Sequence, residues 1–189
     1  MDRKLQVLGF AGSLRQGSYN RSLLRAAQEL APDGMTLRTF DLAPLPLFNA
    51  DLEDSSPPAP VAAFRTAIRE ADALLIATPE YNHGVPGVLK NAIDWASRPP
   101  GQAALQGKPA AIMGASPGMT GTARAQPQLR QAFVFTETYA LLKPEVLVAR
   151  AHEKFDAAGR LTDEETRKWV RALLEALAAW TFLLRGEKA

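Results

Sequence analysis

Leu5-Gln6-Val7-Leu8-Gly9-Phe10-Ala11-Gly12-Ser13-Leu14-Arg15-Gln16-Gly17-Ser18-Tyr19-Asn20-Arg21 opens on a short apolar run and breaks into a polar, glycine-flanked segment. Leu23, Leu24, Ala27 and Leu30 then recur at helical spacing. One stretch therefore holds a strand, a polar loop and the start of a helix. A loop in that position points backbone N–H groups outward at the positive end of the helix dipole, which favours an anion. Here it adds the hydroxyls of Ser13 and Ser18, the amide of Asn20 and the fixed cation of Arg15. These groups donate hydrogen bonds, and a phosphate monoester offers several lone pairs to accept them. An ordinary helix cap by Ser18 explains one hydroxyl but not Arg15 beside it.

Outward from this stretch, apolar runs and helical patterns alternate. Leu5 to Ala11 reads as strand one and Ser22 to Ala31 as helix one; Thr36 to Leu42 reads as strand two. Ala43 to Pro60 contains Pro44, Pro46, Pro57, Pro58 and Pro60, so neither a helix nor a central strand is expected there and it reads as a long surface connection. Val61 to Glu70 reads as helix two, and Ala73 to Thr78 as a strand covered on both faces. Pro86 suits the first turn of a third helix, whose apolar stripe is Val88, Leu89, Ala92, Ile93 and Ala96. Ala110 to Ala115 reads as strand four, Gln126 to Leu142 as largely helical, and Val146 to Val148 as a short fifth strand. Thr162 and Glu165 have capping-box spacing ahead of a helix carrying Trp169, Leu173, Leu177, Trp180 and Leu184.

Strands separated by helices give a parallel sheet with right-handed crossovers. The expected fold is α/β: one flavodoxin-like domain over residues 1–189, a three-layer sandwich with a five-stranded parallel sheet and helices on both faces. Such sheets bind ligands at the carboxyl ends of their strands, where strand order reverses. The loops after strands one, three and four all carry unusual polar and glycine-containing sequences.

Composition narrows the function. The 189 residues are 47% hydrophobic, enough for a full core, and the formal net charge of +2 is too small for a nucleic-acid partner. With no cysteine, disulfides, thiolate metal sites and cysteine nucleophiles are excluded; with only His83 and His152, no metal site is expected. No apolar run approaches the roughly 20 residues of a membrane span. Met1-Asp2-Arg3-Lys4 runs straight into a strand without a signal-peptide pattern, so a cytoplasmic location is expected.

The second loop is Thr78-Pro79-Glu80-Tyr81-Asn82-His83-Gly84-Val85-Pro86-Gly87. Tyr81 and Asn82 suit a flat heteroaromatic ring that has both a π surface and hydrogen-bonding edges. Glu80 reads as orienting the loop rather than as a catalytic carboxylate, because no second acid stands beside it. The third loop contains Gly114-Ala115-Ser116-Pro117-Gly118, which matches the nucleophile elbow of serine hydrolases. An elbow draws its oxyanion donor from the residue after the serine, and Pro117 has no N–H. Gly101 to Gly107-Lys108-Pro109 approaches a nucleotide P-loop, but the spacing is wrong and Pro109 replaces the Ser or Thr.

At these residues the chain resembles the NADPH-dependent FMN reductase family, in its chromate and quinone reductase branch. The matches are Gly12-Ser13-Leu14-Arg15, Gly17-Ser18-Tyr19-Asn20, Pro79-Glu80-Tyr81-Asn82 through Pro86-Gly87, Leu89-Lys90-Asn91-Ala92-Ile93-Asp94-Trp95 and Gly107-Lys108-Pro109. The resemblance implies bound FMN, with Ser13, Arg15, Ser18, Tyr19 and Asn20 around the phosphate. Pro79, Glu80, Tyr81, Asn82 and His83 would run along the isoalloxazine ring, with Ser116 in the third contacting loop. His83 departs from the pattern, since many relatives carry an aromatic residue there. The resemblance further implies NADPH or NADH as reductant, and a quinone, azo compound, metal oxyanion such as chromate, or free flavin as acceptor. It implies a homodimer or homotetramer, with Arg124 and Glu145 as candidate contact residues. The flavin carries the redox chemistry, so no side chain is assigned as catalytic acid or base. Backbone N–H groups near Asn82 and Ser116 are expected to face the reduced ring. The alternative is a flavodoxin-type electron carrier without its own substrate, although such carriers are usually strongly acidic.

Overall fold

A computed structural model describes residues 4–187; residues 1–3, read above as leading straight into the first strand, lie outside the described residues. The elements in chain order are β1 Leu5–Ala11, α1 Tyr19–Glu29, β2 Met35–Phe40, α2 Asp51–Ser55, α3 Ala59–Glu70, β3 Ala73–Ala77, α4 Gly87–Ala96, β4 Pro109–Ala115, α5 Ala125–Thr136, β5 Tyr139–Ala140, β6 Val146–Val148 and α6 Glu164–Arg185. Every strand pairing is parallel, in the order β2-β1-β3-β4-β5, with β6 also on β4. Strand order reverses between β1 and β3, which places the switch point beside the first and second loops.

The sheet has one apolar cluster on each face. On one side Leu23, Leu24 and Ala27 of α1 and Val170, Leu173 and Leu177 of α6 cover Val7, Leu75 and Met113. On the other, Phe64 and Ile68 of α3, Leu89 and Ile93 of α4 and Leu129 and Phe133 of α5 cover Leu8, Phe10, Ile76 and Ile112. β3 is buried at every position, as its unbroken apolar sequence requires.

Several elements differ from the sequence expectation. The short α2 lies inside the proline-rich connection, where no helix was expected, and α3 begins at Ala59 rather than Val61. α1 begins at Tyr19 rather than Ser22, because the Ser18 hydroxyl caps it by accepting from the N–H groups of Asn20 and Arg21. The helix expected to run to Leu142 stops at Thr136, where Glu137 takes a left-handed conformation (φ 52°). The far edge of the sheet is then shared by β5 and β6 with an irregular segment between, in which Pro144 has no N–H to offer a ladder. α6 is capped by Asp163 rather than Thr162: its carboxylate accepts from Thr166 N–H at 2.9 Å and suits the positive helix end.

The proline-rich connection is stitched onto α4. Pro46 C=O accepts from Asn91 Nδ2 and Trp95 Nε1, Phe48 N–H donates to Asn91 Oδ1, and Phe48 packs edge-on against Trp95. Buried Arg65 pairs with Glu53 and donates to Trp95 C=O. The Asn91 and Trp95 of the family-like stretch are therefore structural here: one turn apart, they face the connection together.

Candidate functional site

The three loops read as unusual meet at the carboxyl end of the sheet. In the first, the N–H groups of Ser13, Leu14, Arg15, Gln16 and Gly17 donate to no acceptor among the described residues. Five consecutive free donors precede the cap of an eleven-residue helix, and Arg15 adds a guanidinium lying 5.6 Å over the Tyr19 ring. Ser18 accepts two N–H bonds as a cap, yet its own O–H hydrogen remains able to donate. The loop thus caps the helix and still leaves its own N–H groups without acceptors among the described residues. Gly12 lets it approach closely: a Cβ there would come within 2.9 Å of Pro86 and 3.0 Å of Leu89.

Asn20 is buried (2% exposed). Its amide donates to Ala115 C=O at 2.8 Å and accepts from Ala115 N–H at 2.9 Å. It takes up the pairing of β4 where β3 gives way to Pro79, which has no N–H. Asn20 therefore binds the first loop to the third, using one of the two hydrogens of its side-chain amide.

The second loop folds into a two-residue hairpin. Tyr81 and Gly84 exchange backbone hydrogen bonds, while Asn82 (φ 50°) and His83 (φ 63°) are both left-handed, as a type I′ turn requires. Tyr81, Asn82 and His83 stand exposed at the tip. Tyr81 Oη lies 3.1 Å from Ser13 Oγ and ties this loop to the first. The N–H groups of Asn82 and His83 have no acceptor among the described residues, whereas Ser116 N–H is bound to Val148 C=O at 2.9 Å. β6 thus holds the Ser116 N–H itself. Ser116 Oγ accepts from Gly118 N–H, so this hydroxyl shapes the third loop. His152 sits 3.5 Å from Glu153, on the short helical turn Ala151–Glu153.

Glu80 is largely buried and caps α5 from outside. Its Oε2 accepts from Arg124 N–H at 2.8 Å and Ala125 N–H at 3.1 Å, and its Oε1 lies 3.4 Å from the Arg124 guanidinium. Burial by itself raises its pKa, but the two N–H bonds and the guanidinium outweigh it and hold the carboxyl below the ordinary glutamate value. Glu80 is therefore an anionic structural link, as its sequence context implied. Arg124 is engaged with it, and Glu145 is engaged with Arg130 and Lys143.

A family model described as NADPH-dependent FMN reductase matches residues 5–153. The chain belongs to the NADPH-dependent FMN reductase family. It is 52% identical to an NAD(P)H-dependent FMN reductase of Pseudomonas aeruginosa, over 98% of this chain and 100% of that protein. It is 48% identical to an NAD(P)H:quinone oxidoreductase of Solanum tuberosum, over 97% and 96% of the two chains. Among solved structures it is similar to the flavoenzyme NAD(P)H:(acceptor) oxidoreductase FerB of Paracoccus denitrificans, with TM-score 0.85, 38% identity and coverage of 94% and 97%.

Within this family frame, three supporting residues had escaped the sequence reading. Gln128 of α5 accepts from Val85 N–H at 2.6 Å and braces the second hairpin. Gly114 leaves no room for a Cβ, which would overlap Thr78 C=O and the buried Thr122 side chain. Arg150, left-handed at φ 48°, donates from Nε to exposed Met119 Sδ at 3.3 Å and closes the outer side of the third loop. Only the glycine, falling at a strand end, left a signal in the sequence.

Proposed function

We propose that this chain is an FMN-dependent NAD(P)H oxidoreductase that passes electrons to small-molecule acceptors: quinones, azo compounds, metal oxyanions such as chromate, or free flavin. The observation that carries the reading is the run of five unpartnered N–H groups beside Arg15 at the head of α1. Its charge and donor count fit a phosphate monoester. Ser13, Arg15 and Ser18 hold that phosphate, with Tyr19 supporting Arg15 from below. Asn20 contributes by fixing the loop to β4.

The FMN ring supplies reversible acceptance of a hydride from a nicotinamide and release of electrons to an acceptor. Pro79 to His83 would hold the ring, and the Asn82 and His83 N–H groups, without acceptors among the described residues, would supply donors to it. Ser116 sets the course of the third loop. The exposed hairpin tip leaves room for a planar donor and then a planar acceptor at one place. Glu80, fixed on α5 as a carboxylate, is not a mobile proton donor, and no side chain is assigned as general acid or base.

Among the described residues no helix is long and apolar enough to cross a membrane. The reductant is an intracellular dinucleotide, which supports a cytoplasmic location. Val134 and Phe135 of α5 are 80% and 88% exposed, a surface that supports association into a homodimer or homotetramer.

The test is spectroscopic. Purified protein should be yellow, bleach anaerobically with NADPH or NADH, and recolour with a quinone without any protein partner. Failure to bind added FMN refutes the reading, and flavin reduction that needs a second protein makes the chain a carrier instead. Arg15→Ala should weaken FMN binding roughly tenfold to hundredfold, the range of a charge-assisted contact, and leave riboflavin binding nearly unchanged.

A further inference from the structure

A second cleft, of about 320 Å³, opens beside the first loop on its β2 side, at the carboxyl ends of β1 and β2. Its apolar side is Leu24, Phe40 and Leu42; its polar side includes Arg21, Arg25, Gln28, Thr39 and Asp41. Ser13 belongs to this cleft and also bonds Tyr81, so the cleft adjoins the redox loops. The family match assigns it nothing.

We infer that this cleft receives the adenosine arm of NADPH, with Arg21 and Arg25 taking its 2′-phosphate; the inference rests on the reductase reading above. Arg21 and Arg25 are one helical turn apart and so share a face of α1. Arg21 is only loosely paired, 3.9 Å from Asp41, with both side chains substantially exposed. An exposed pair at that distance is weak and yields readily to a dianion. Arg25 donates to the neutral Ser22 hydroxyl at 2.8 Å and meets no carboxylate at ion-pair distance among the described residues. Two guanidinium groups are thus available together.

Asp41 follows the end of β2, where an acid suits the 2′-hydroxyl of NAD and an arginine the 2′-phosphate of NADP; Asp41 opposes the dianion, and the paired charge of Arg21 and Arg25 outweighs it. Its Oδ1 already accepts from Ala43 N–H at 3.1 Å, which holds the carboxylate in place. Half-buried Phe40 offers an apolar surface to the purine, while Leu24 and Leu42 are almost wholly buried and expose little to it. A bare apolar groove would not select a phosphate, and a bare basic patch would not select a base; this cleft offers both.

Calorimetry with adenosine 2′,5′-bisphosphate and with AMP tests the assignment directly. The bisphosphate should bind the wild-type holoprotein at least roughly tenfold more tightly than AMP, and the Arg21→Gln/Arg25→Gln double variant should abolish that difference. Steady-state kinetics should show the KM for NADPH rising roughly tenfold or more, with the KM for NADH, both kcat values and the flavin content unchanged. Arg38→Gln, whose arginine pairs with Glu70 outside the cleft, should behave as wild type. Arg25→Gln alone should give an intermediate effect, which excludes misfolding of the double variant as the cause. Equal binding of the two adenylates, or an unchanged NADPH to NADH preference in the double variant, overturns the proposal while leaving the reductase reading intact. Release of FAD rather than FMN on heating also overturns it, since the flavin's own adenylate would then fill the cleft. The calorimetric result stands without turnover, so it is separable from failure of the reductase reading.

Discussion

Replacing Asn20 by alanine should loosen two loops at once. The amide makes two hydrogen bonds to the backbone of Ala115, at 2.8 and 2.9 Å, in surroundings where both residues are almost wholly buried. Truncation leaves one N–H and one C=O without these partners, and each orphaned buried group costs about 1–3 kcal/mol. Allowing for partial rescue by water, the expected loss is about 3 kcal/mol. For a chain of this length that lowers Tm by about 6–12 °C. Thermal unfolding followed by circular dichroism measures it. Asn20→Asp separates bonding from packing: it keeps the volume but, when ionised, loses the donor and turns an anion toward Ala115 C=O. It should therefore also be destabilised at neutral pH. FMN affinity should fall in both variants, because the first loop loses its hold on β4. A melting temperature for Asn20→Ala within about 2 °C of wild type would refute the bridging role.

Glu80→Gln should destabilise the protein at neutral pH. The folded-state pKa of Glu80 lies below its ordinary value, so its contribution is fully present above the ordinary glutamate range and is lost as pH falls through the folded value. The gap between wild type and variant in urea titrations should accordingly close on the acid side; a gap that widens there contradicts the cap. His83→Gly should raise stability by about 1 kcal/mol, since His83 holds a left-handed conformation that glycine adopts freely. A fall in stability would show that the imidazole makes a compensating contact. Gly114→Ala should cost about 1–3 kcal/mol through overlap with Thr78 and Thr122, seen as a lower urea midpoint. Wild-type behaviour would mean that the strand end yields to the extra methyl.

Much of the architecture was readable because the signals were local. The apolar run at β3 needed no partner to identify it, and the alternation of strands with helices restricted the sheet to parallel order. Tyr139–Ala140 was not readable: two residues give no period, and they follow directly on an apolar helix that ends by backbone conformation at Glu137. The first loop was legible as a donor-rich turn before a helix. Which of its donors face outward was not, since Asn20 meets a partner 95 positions away. Glu80 could be read as structural from its lack of a nearby acid, but the helix it caps begins 45 residues later.

The Glu80 carboxylate gives α5 a mechanical hold on the hairpin that carries Tyr81. Val134 and Phe135 project from the outer half of the same helix. With Glu80 on the Arg124 and Ala125 N–H groups and Gln128 on the Val85 N–H, two separate bonds tie helix and hairpin, so either can be cut without freeing the other.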